Sequence, residues 1–189
     1  MRKGGANLKE KQKIRVYVDA DFAGCIKSRK STCGGCILLG SSMVKSWSKT
    51  LSTLALSSGE SELAGMAKGA AEGLGLQAVL KDFNVDCDVE VHGDATAAIG
   101  IANRQGLGRI RHIATTDLWI QQRVKAGEIQ TFKVDGLKNP ADLMTKPLDA
   151  PRIEILLELM KVQVLGEVRE GRGTKGIKEV KEIDKVEGE

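Results

Sequence analysis

The chain has 189 residues, 41% of them hydrophobic and 29% charged, with a net charge of +4, which supports one domain with a core and a tail. No apolar run reaches the length of a membrane span, and the basic, polar N-terminus has no hydrophobic stretch after it, so neither a membrane partner nor secretion is expected. The four cysteines, Cys25, Cys33, Cys36 and Cys87, do not make a disulfide scaffold in a chain of this size.

Residues 1–12 carry four basic side chains against one acid and read as a disordered basic segment. Strand signals follow over 13–20, Cys33 to Leu39 and Met43 to Ser48. They are punctuated by Gly24, by Gly34-Gly35 and by Gly40-Ser41-Ser42. Such short spacing favours antiparallel hairpin pairing. Cys33 and Cys36 have CxxC spacing, but no second pair follows and the only histidines are His92 and His112. Buried or bystander cysteines are therefore preferred over a zinc or redox pair.

Ser57 with Glu60 makes a capping box that opens a long helix to about Phe83, with an apolar stripe of Leu63, Met66, Ala67, Ala70 and Leu74. Glu62 falls in its first turn, where the helix dipole favours a carboxylate. Gly65, Gly69 and Gly73 recur every four residues along this helix, each costing about 1 kcal/mol relative to alanine. They either let the helix approach the sheet closely or mark a relaxed sequence.

Residues 87–93 read as a strand, Ala95 to Asn103 and Ile113 to Lys125 as helices, and Glu128 to Val134 as a last strand. Asn139 to Lys146 reads as a closing helix stopped by Pro147, with Asp142 at its start. The order βββαβααβα implies an α/β fold with a five-stranded mixed sheet, part of it parallel, and helices on both faces. The domain is expected over 13–148, a C-terminal helix over 149–165, and a disordered charged tail over 166–189. Residues 151–189 hold eight basic and nine acidic side chains, with few large apolar ones past residue 165.

Asp19, Glu62, Asp94 and Asp142 each sit at the end of a different predicted element. They converge only if the sheet brings two strand ends together under two helix starts. Such carboxylates repel one another unless they hold cations. Hard oxygen ligands of this kind suit Mg²⁺, which points to two-metal phosphodiester hydrolysis. Asp21 and Glu60 are neighbouring acids that compete for the same assignments. Tyr17-Val18-Asp19-Ala20 also mimics a polymerase Tyr-x-Asp-Asp motif. Only sixteen residues precede Tyr17, so the other acid a polymerase palm needs is not expected.

The segment from Arg104 to Arg111 carries Arg104, Arg109 and Arg111, with no acid between Asp94 and Asp117. It is read either as a nucleic-acid backbone contact or as a solvated loop. His112, beside it, is read as a packing or phosphate contact rather than a base.

The motifs as a set resemble the ribonuclease H domain of copia-type retrotransposon Pol polyproteins. The matching stretches are Tyr17 to Gly24, Arg29-Lys30-Ser31-Thr32, Ser46-Trp47-Ser48-Lys49 and Ala55 to Glu62. Gly93-Asp94, Arg111-His112-Ile113 and Pro140 to Leu148 complete them, and the likeness runs from about 14 to 148. The resemblance implies a ribonuclease H-like fold and hydrolysis of the RNA strand of an RNA–DNA hybrid. It implies Asp19, Glu62, Asp94 and Asp142 as ligands of two Mg²⁺ ions, with Mn²⁺ as a substitute.

By the same resemblance, Ser31, Thr32, Ser57 and Ser58 are readers of the RNA 2′-hydroxyl, and Arg29, Lys30, Arg109 and Arg111 contact phosphate. The implied partner is the reverse transcriptase portion of the parent polyprotein. The implied location is cytoplasmic, in a virus-like particle for an active element, with the nucleus as an alternative. The chain departs from many cellular ribonucleases H in one place: Asp135-Gly136-Leu137-Lys138 carries no histidine before the last carboxylate. The competing expectation is a nucleic-acid-binding remnant of such a domain that no longer turns over. A structural module built on the charged tail ranks third.

Overall fold

The computed structural model of the chain describes residues 11–106 and 115–162. Its strands are β1 (Gln12–Ala20), β2 (Thr32–Leu39), β3 (Ser42–Thr50), β4 (Cys87–Gly93) and β5 (Ile129–Lys133). The helices are α1 (Ser58–Asp82), α2 (Thr96–Asn103), α3 (Thr115–Lys125) and α4 (Ala150–Leu159), with 3-10 helices at Gly136–Lys138 and Pro140–Met144.

One five-stranded sheet runs in the order β3-β2-β1-β4-β5. The β1–β2 and β2–β3 pairs are antiparallel, whereas β1–β4 and β4–β5 are parallel. The mixed sheet expected from the element order is therefore present. Hairpin turns make the antiparallel half, and helical crossovers make the parallel half.

Alternation along β1 divides the domain into two layers. Ile14, Val16 and Val18 are buried against Leu63, Met66 and Ala70 of α1, Ala98, Ile101 and Ala102 of α2, and Ile120 of α3. Tyr17 faces the other way, into a smaller cluster with Cys36, Leu38, Leu143, Met144 and Met160. Helical segments thus cover both faces. Cys33 and Cys36 are both buried and unbonded, so among the described residues the CxxC spacing holds no disulfide.

The glycines of α1 resolve in favour of close approach. A Cβ on Gly69 would collide with Val18 Cγ1, and one on Gly73 would stand 2.7 Å from Val89 Cγ1 and 2.9 Å from Val16 Cγ2. Gly65 is different, since its nearest would-be contact is an ordinary 3.6 Å.

Two expectations change. The closing helix is a five-residue 3-10 helix, Pro140–Met144, shorter than the expected Asn139 to Lys146, with Asp142 in its first turn. Pro147 leaves too little chain for a full α-helix to establish itself. The C-terminal helix starts inside its expected span, where Asp149 caps it through the Arg152 N–H at 3.0 Å and Pro151 occupies the first turn. Glu62 lies past the first turn of α1, since Ser57 is the N-cap and Glu60 the first-turn acid. The segments 1–10 and 163–189 lie outside the described residues, and with them most of the expected termini.

Candidate metal centre

Parallel pairing places the first two acids at one edge of the sheet. The last paired positions of β1 and β4 are Tyr17 and His92, and Asp19 and Asp94 each follow two residues later. From above this edge, α1 lowers Glu62 into the same space. Carboxylate oxygens of Asp19, Glu62 and Asp94 lie within 4.8 Å of one another. Asp19 and Glu62 are buried and Asp94 is partly so.

Electrostatics within this group are unfavourable. Burial, and then the charges of Asp19 and Asp94, push the Glu62 carboxyl from 4.5 up to about 8. Burial, and then Asp19, also raise Asp94 above the usual carboxylate range, with Lys146 opposing. Three crowded carboxylates that cannot all ionise comfortably form a donor set suited to hard divalent cations. The residues present therefore fit the metal ions that the fold implies.

Asp142 stands beside this group but is not among the carboxylates that approach mutually. Its Oδ1 accepts from Lys146 Nζ at 2.7 Å and its Oδ2 from Arg152 Nη2 at 3.2 Å. Lys146 Nζ also donates to Asp19 Oδ1 at 3.2 Å, and Thr145 Oγ1 donates to Asp19 Oδ2. Buried Asn139 docks the 3-10 helix onto the end of β1. Its Nδ2 donates to the Val18 carbonyl at 2.8 Å, while its Oδ1 accepts from the Ala141 N–H at 3.2 Å. Asp142 is thereby brought to the same sheet edge with its charge already compensated.

Neighbouring acids have structural partners. Asp21 Oδ1 accepts from the Thr32 N–H within the β1–β2 loop. Glu60 Oε2 accepts from the Leu56 N–H at 2.8 Å, and Ser57 Oγ from the Glu60 N–H at 3.2 Å. His92 is not part of this group: it stacks between the rings of Tyr17 and Phe132, with its Nε2 3.4 Å from Glu90 Oε2.

Among the expected nucleic-acid contacts, Ser31 requires correction. It is 1% exposed, and its Oγ accepts from the Ala23 N–H at 3.0 Å, so it shapes the loop from inside and cannot reach a 2′-hydroxyl. Lys30 Nζ donates to the Ser52 carbonyl at 2.7 Å, tying that loop to the segment before α1. Arg29 is exposed, Thr32 is partly exposed, and Ser57 and Ser58 are exposed at the start of α1. Arg104 follows α2 and is partly exposed. Arg109, Arg111 and His112 lie outside the described residues.

Sequence reasoning missed Lys146 and Arg152. Lys146 had a signal, because it stands four residues after Asp142, a spacing that brings opposite charges together even in a short helical turn. Arg152 had none, since only the docking of α4 brings it to Asp142 and to the carbonyls of Gly136 and Leu137.

No protein-family model matches the chain. It is 28% identical over 149 residues to the retrovirus-related Pol polyprotein from transposon TNT 1-94 of Nicotiana tabacum, which covers 78% of this chain and 11% of that polyprotein. The chain thus spans about a tenth of that relative's length. Its fold matches LC11-RNase H1, isolated from compost by a metagenomic approach, with a TM-score of 0.56 and 14% identity, covering 70% of this chain and 92% of that one. The same compost protein in complex with an RNA/DNA hybrid matches with a TM-score of 0.50 and 16% identity, covering 70% and 94%. The chain has the fold of ribonuclease H domains and is homologous to part of a retrovirus-related Pol polyprotein, which bears out its resemblance to the ribonuclease H domain of a copia-type Pol.

Proposed function

We propose that the chain is a metal-dependent endoribonuclease that hydrolyses the RNA strand of RNA–DNA hybrids, as part of a copia-type retrotransposon polyprotein. The observation that carries this reading is the mutual approach of Asp19, Glu62 and Asp94 within 4.8 Å, with Glu62 held up to about 8. A structural network would have supplied each of these acids with a cation of its own. This group keeps a deficit of positive charge.

Asp19, Glu62 and Asp94 would hold divalent ions, Mg²⁺ or Mn²⁺, and Asp142 would join them. When bound, such a pair of ions supplies an activated water and neutralises charge at the leaving 3′ oxygen. The chain's own part is to fix the carboxylates. The pairing of β1 with β4 sets Asp19 against Asp94, the capped start of α1 sets the depth of Glu62, and Asn139 with Arg152 sets Asp142. Arg29, Lys30, Arg104, Arg109 and Arg111 are assigned to phosphates of the hybrid, and Thr32, Ser57 and Ser58 to the 2′-hydroxyl. Recognition of a hybrid agrees with the fold's likeness to a protein solved with an RNA/DNA hybrid. The reverse transcriptase portion of the parent polyprotein is the proposed partner.

A second reading, an inactive hybrid-binding remnant, draws on the two cations that already occupy Asp142. Cleavage of an end-labelled hybrid by the purified chain decides between them. Mg²⁺-dependent shortening of the RNA strand, abolished by EDTA, supports the enzyme. Retention of the hybrid without any cleavage in Mg²⁺ or Mn²⁺ supports the remnant.

A further inference from the structure

Compensation across the acidic centre is lopsided. All four side-chain oxygens of Asp19 and Asp142 accept from protein donors: Lys146 and Thr145 at Asp19, Lys146 and Arg152 at Asp142. Among the described residues, Glu62 and Asp94 form no ion pair within 4.0 Å. The two cations also differ in exposure and in how they are held. The Arg152 side chain is 20% exposed and is held by the Gly136 and Leu137 carbonyls as well as by Asp142. The Lys146 side chain is 42% exposed, and among the described residues its ammonium pairs only with the two carboxylates it bridges. An ammonium on a flexible, half-exposed stem exchanges readily with solvent, whereas a guanidinium pinned at three acceptors does not.

We propose that Lys146 is a resident counter-ion that latches Asp142 to Asp19, and that a divalent cation using Asp142 binds only by displacing the Lys146 ammonium. The centre then loads in two unequal stages. The side formed by Glu62 and Asp94 takes a cation directly, since among the described residues no cation is paired with either of them. The Asp142 side takes one only in exchange for Lys146, so its affinity is set by this lysine. Arg152 stays in place throughout and keeps Asp142 aimed at the sheet edge. Lys146 is thus a positioning residue that tunes cation loading. The proposal rests on the metal-binding reading of the site, and its test is independent of cleavage.

The test is titration of the EDTA-stripped full chain with Mg²⁺ and with Ca²⁺ by calorimetry, for wild type, Lys146→Met and Lys146→Arg. The expected result is a stronger and a weaker event in wild type. The weaker event tightens at least tenfold in Lys146→Met and stays near wild type in Lys146→Arg. Lys146→Met is also expected to melt lower than wild type in EDTA, because Asp19 and Asp142 then face each other without the ammonium, and to regain that loss in Mg²⁺. Wild-type affinity at both events in Lys146→Met overturns the latch while leaving the metal-binding reading intact. Absence of any divalent binding in all three proteins overturns both.

Should Lys146→Met fail to fold, ¹⁵N spectra of the wild-type lysine ammonium groups test the same point. A Lys146 Nζ signal protected in EDTA and lost on adding Ca²⁺ supports displacement. A signal unchanged by saturating Ca²⁺ overturns it.

Discussion

Replacing Glu62 with glutamine separates a self-repelling metal site from a structural network, and its size follows from the site itself. Glu62 is held up to about 8 against an ordinary value of 4.5, first by burial and then by Asp19 and Asp94. The folded state therefore binds this proton more tightly than the unfolded chain does. The contribution of Glu62 to metal-free stability is fullest below pH 4.5 and is lost as pH rises toward 8. At about 1.36 kcal/mol per pH unit, the cost accumulated between 4.5 and pH 7 is roughly 3 kcal/mol. Glutamine keeps the shape and one acceptor but has no proton to lose, so it escapes that cost.

In EDTA, the stability advantage of Glu62→Gln over wild type should grow by about 2–3 kcal/mol between pH 5 and pH 7. At pH 7 the total corresponds to about 6–12 °C in Tm for a domain of this size. Urea melts of both proteins at several pH values measure the difference directly. With Mg²⁺ the order should narrow or reverse, since wild type gains a bound ion and the variant gains less. Parallel pH profiles in EDTA, or a variant less stable than wild type at pH 7, would refute the reasoning and make Glu62 a structural residue.

Asp94→Asn should abolish Mg²⁺-dependent cleavage while leaving metal-free stability equal or slightly raised, because one charge leaves a repelling group; melts with and without Mg²⁺ check this, and a marked loss in EDTA contradicts it. Alanine at Arg104, Arg109 and Arg111 together should weaken hybrid binding across all sequences and flatten the slope of log K against log salt by up to about 3, read from binding isotherms at several salt concentrations. An unchanged slope would make the segment a solvated loop. Gly69→Ala, which in an exposed helix would stabilise by about 1 kcal/mol, should instead destabilise by about 1–3 kcal/mol, since the new Cβ meets Val18. Chemical denaturation gives the sign.

Much of the frame was legible because its causes are local. Ile14, Val16 and Val18 alternate with more polar positions, which specifies a strand with one face on the main core. Ser57 and Glu60 fix the start of α1 by capping: Ser57 Oγ accepts from the Glu60 N–H as the spacing anticipates, while Glu60 Oε2 reaches one residue further back, to the Leu56 N–H. Asp19, Glu62 and Asp94 could be named because strand ends and helix starts are marked in sequence.

Illegible features depend on partners far along the chain. Whether Ser31 faces solvent or the loop interior is decided by Ala23 and by how the loop folds back. The placement of Asp142 at the sheet edge comes from Asn139 docking on Val18, which the local apolar pattern does not encode. The compensation of Asp142 by Arg152 needed the placement of α4, and composition says nothing about that.

The bond from Asn139 to the Val18 carbonyl spans 121 positions of sequence. Closing a loop of that length from an open chain costs about 4 kcal/mol by the logarithmic rule, whereas a single hydrogen bond returns about 1 kcal/mol net. The contact can therefore form only after β4 and β5 have carried the later chain back to β1. Asp142, which sits three residues beyond Asn139, arrives with it. During synthesis, the first strand thus emerges with its acid long before the last acid can join it, and a half-folded domain lacks its fourth carboxylate. Assembly of the four acids becomes a report on completed folding, so a chain stalled partway would carry the sheet edge without Asp142.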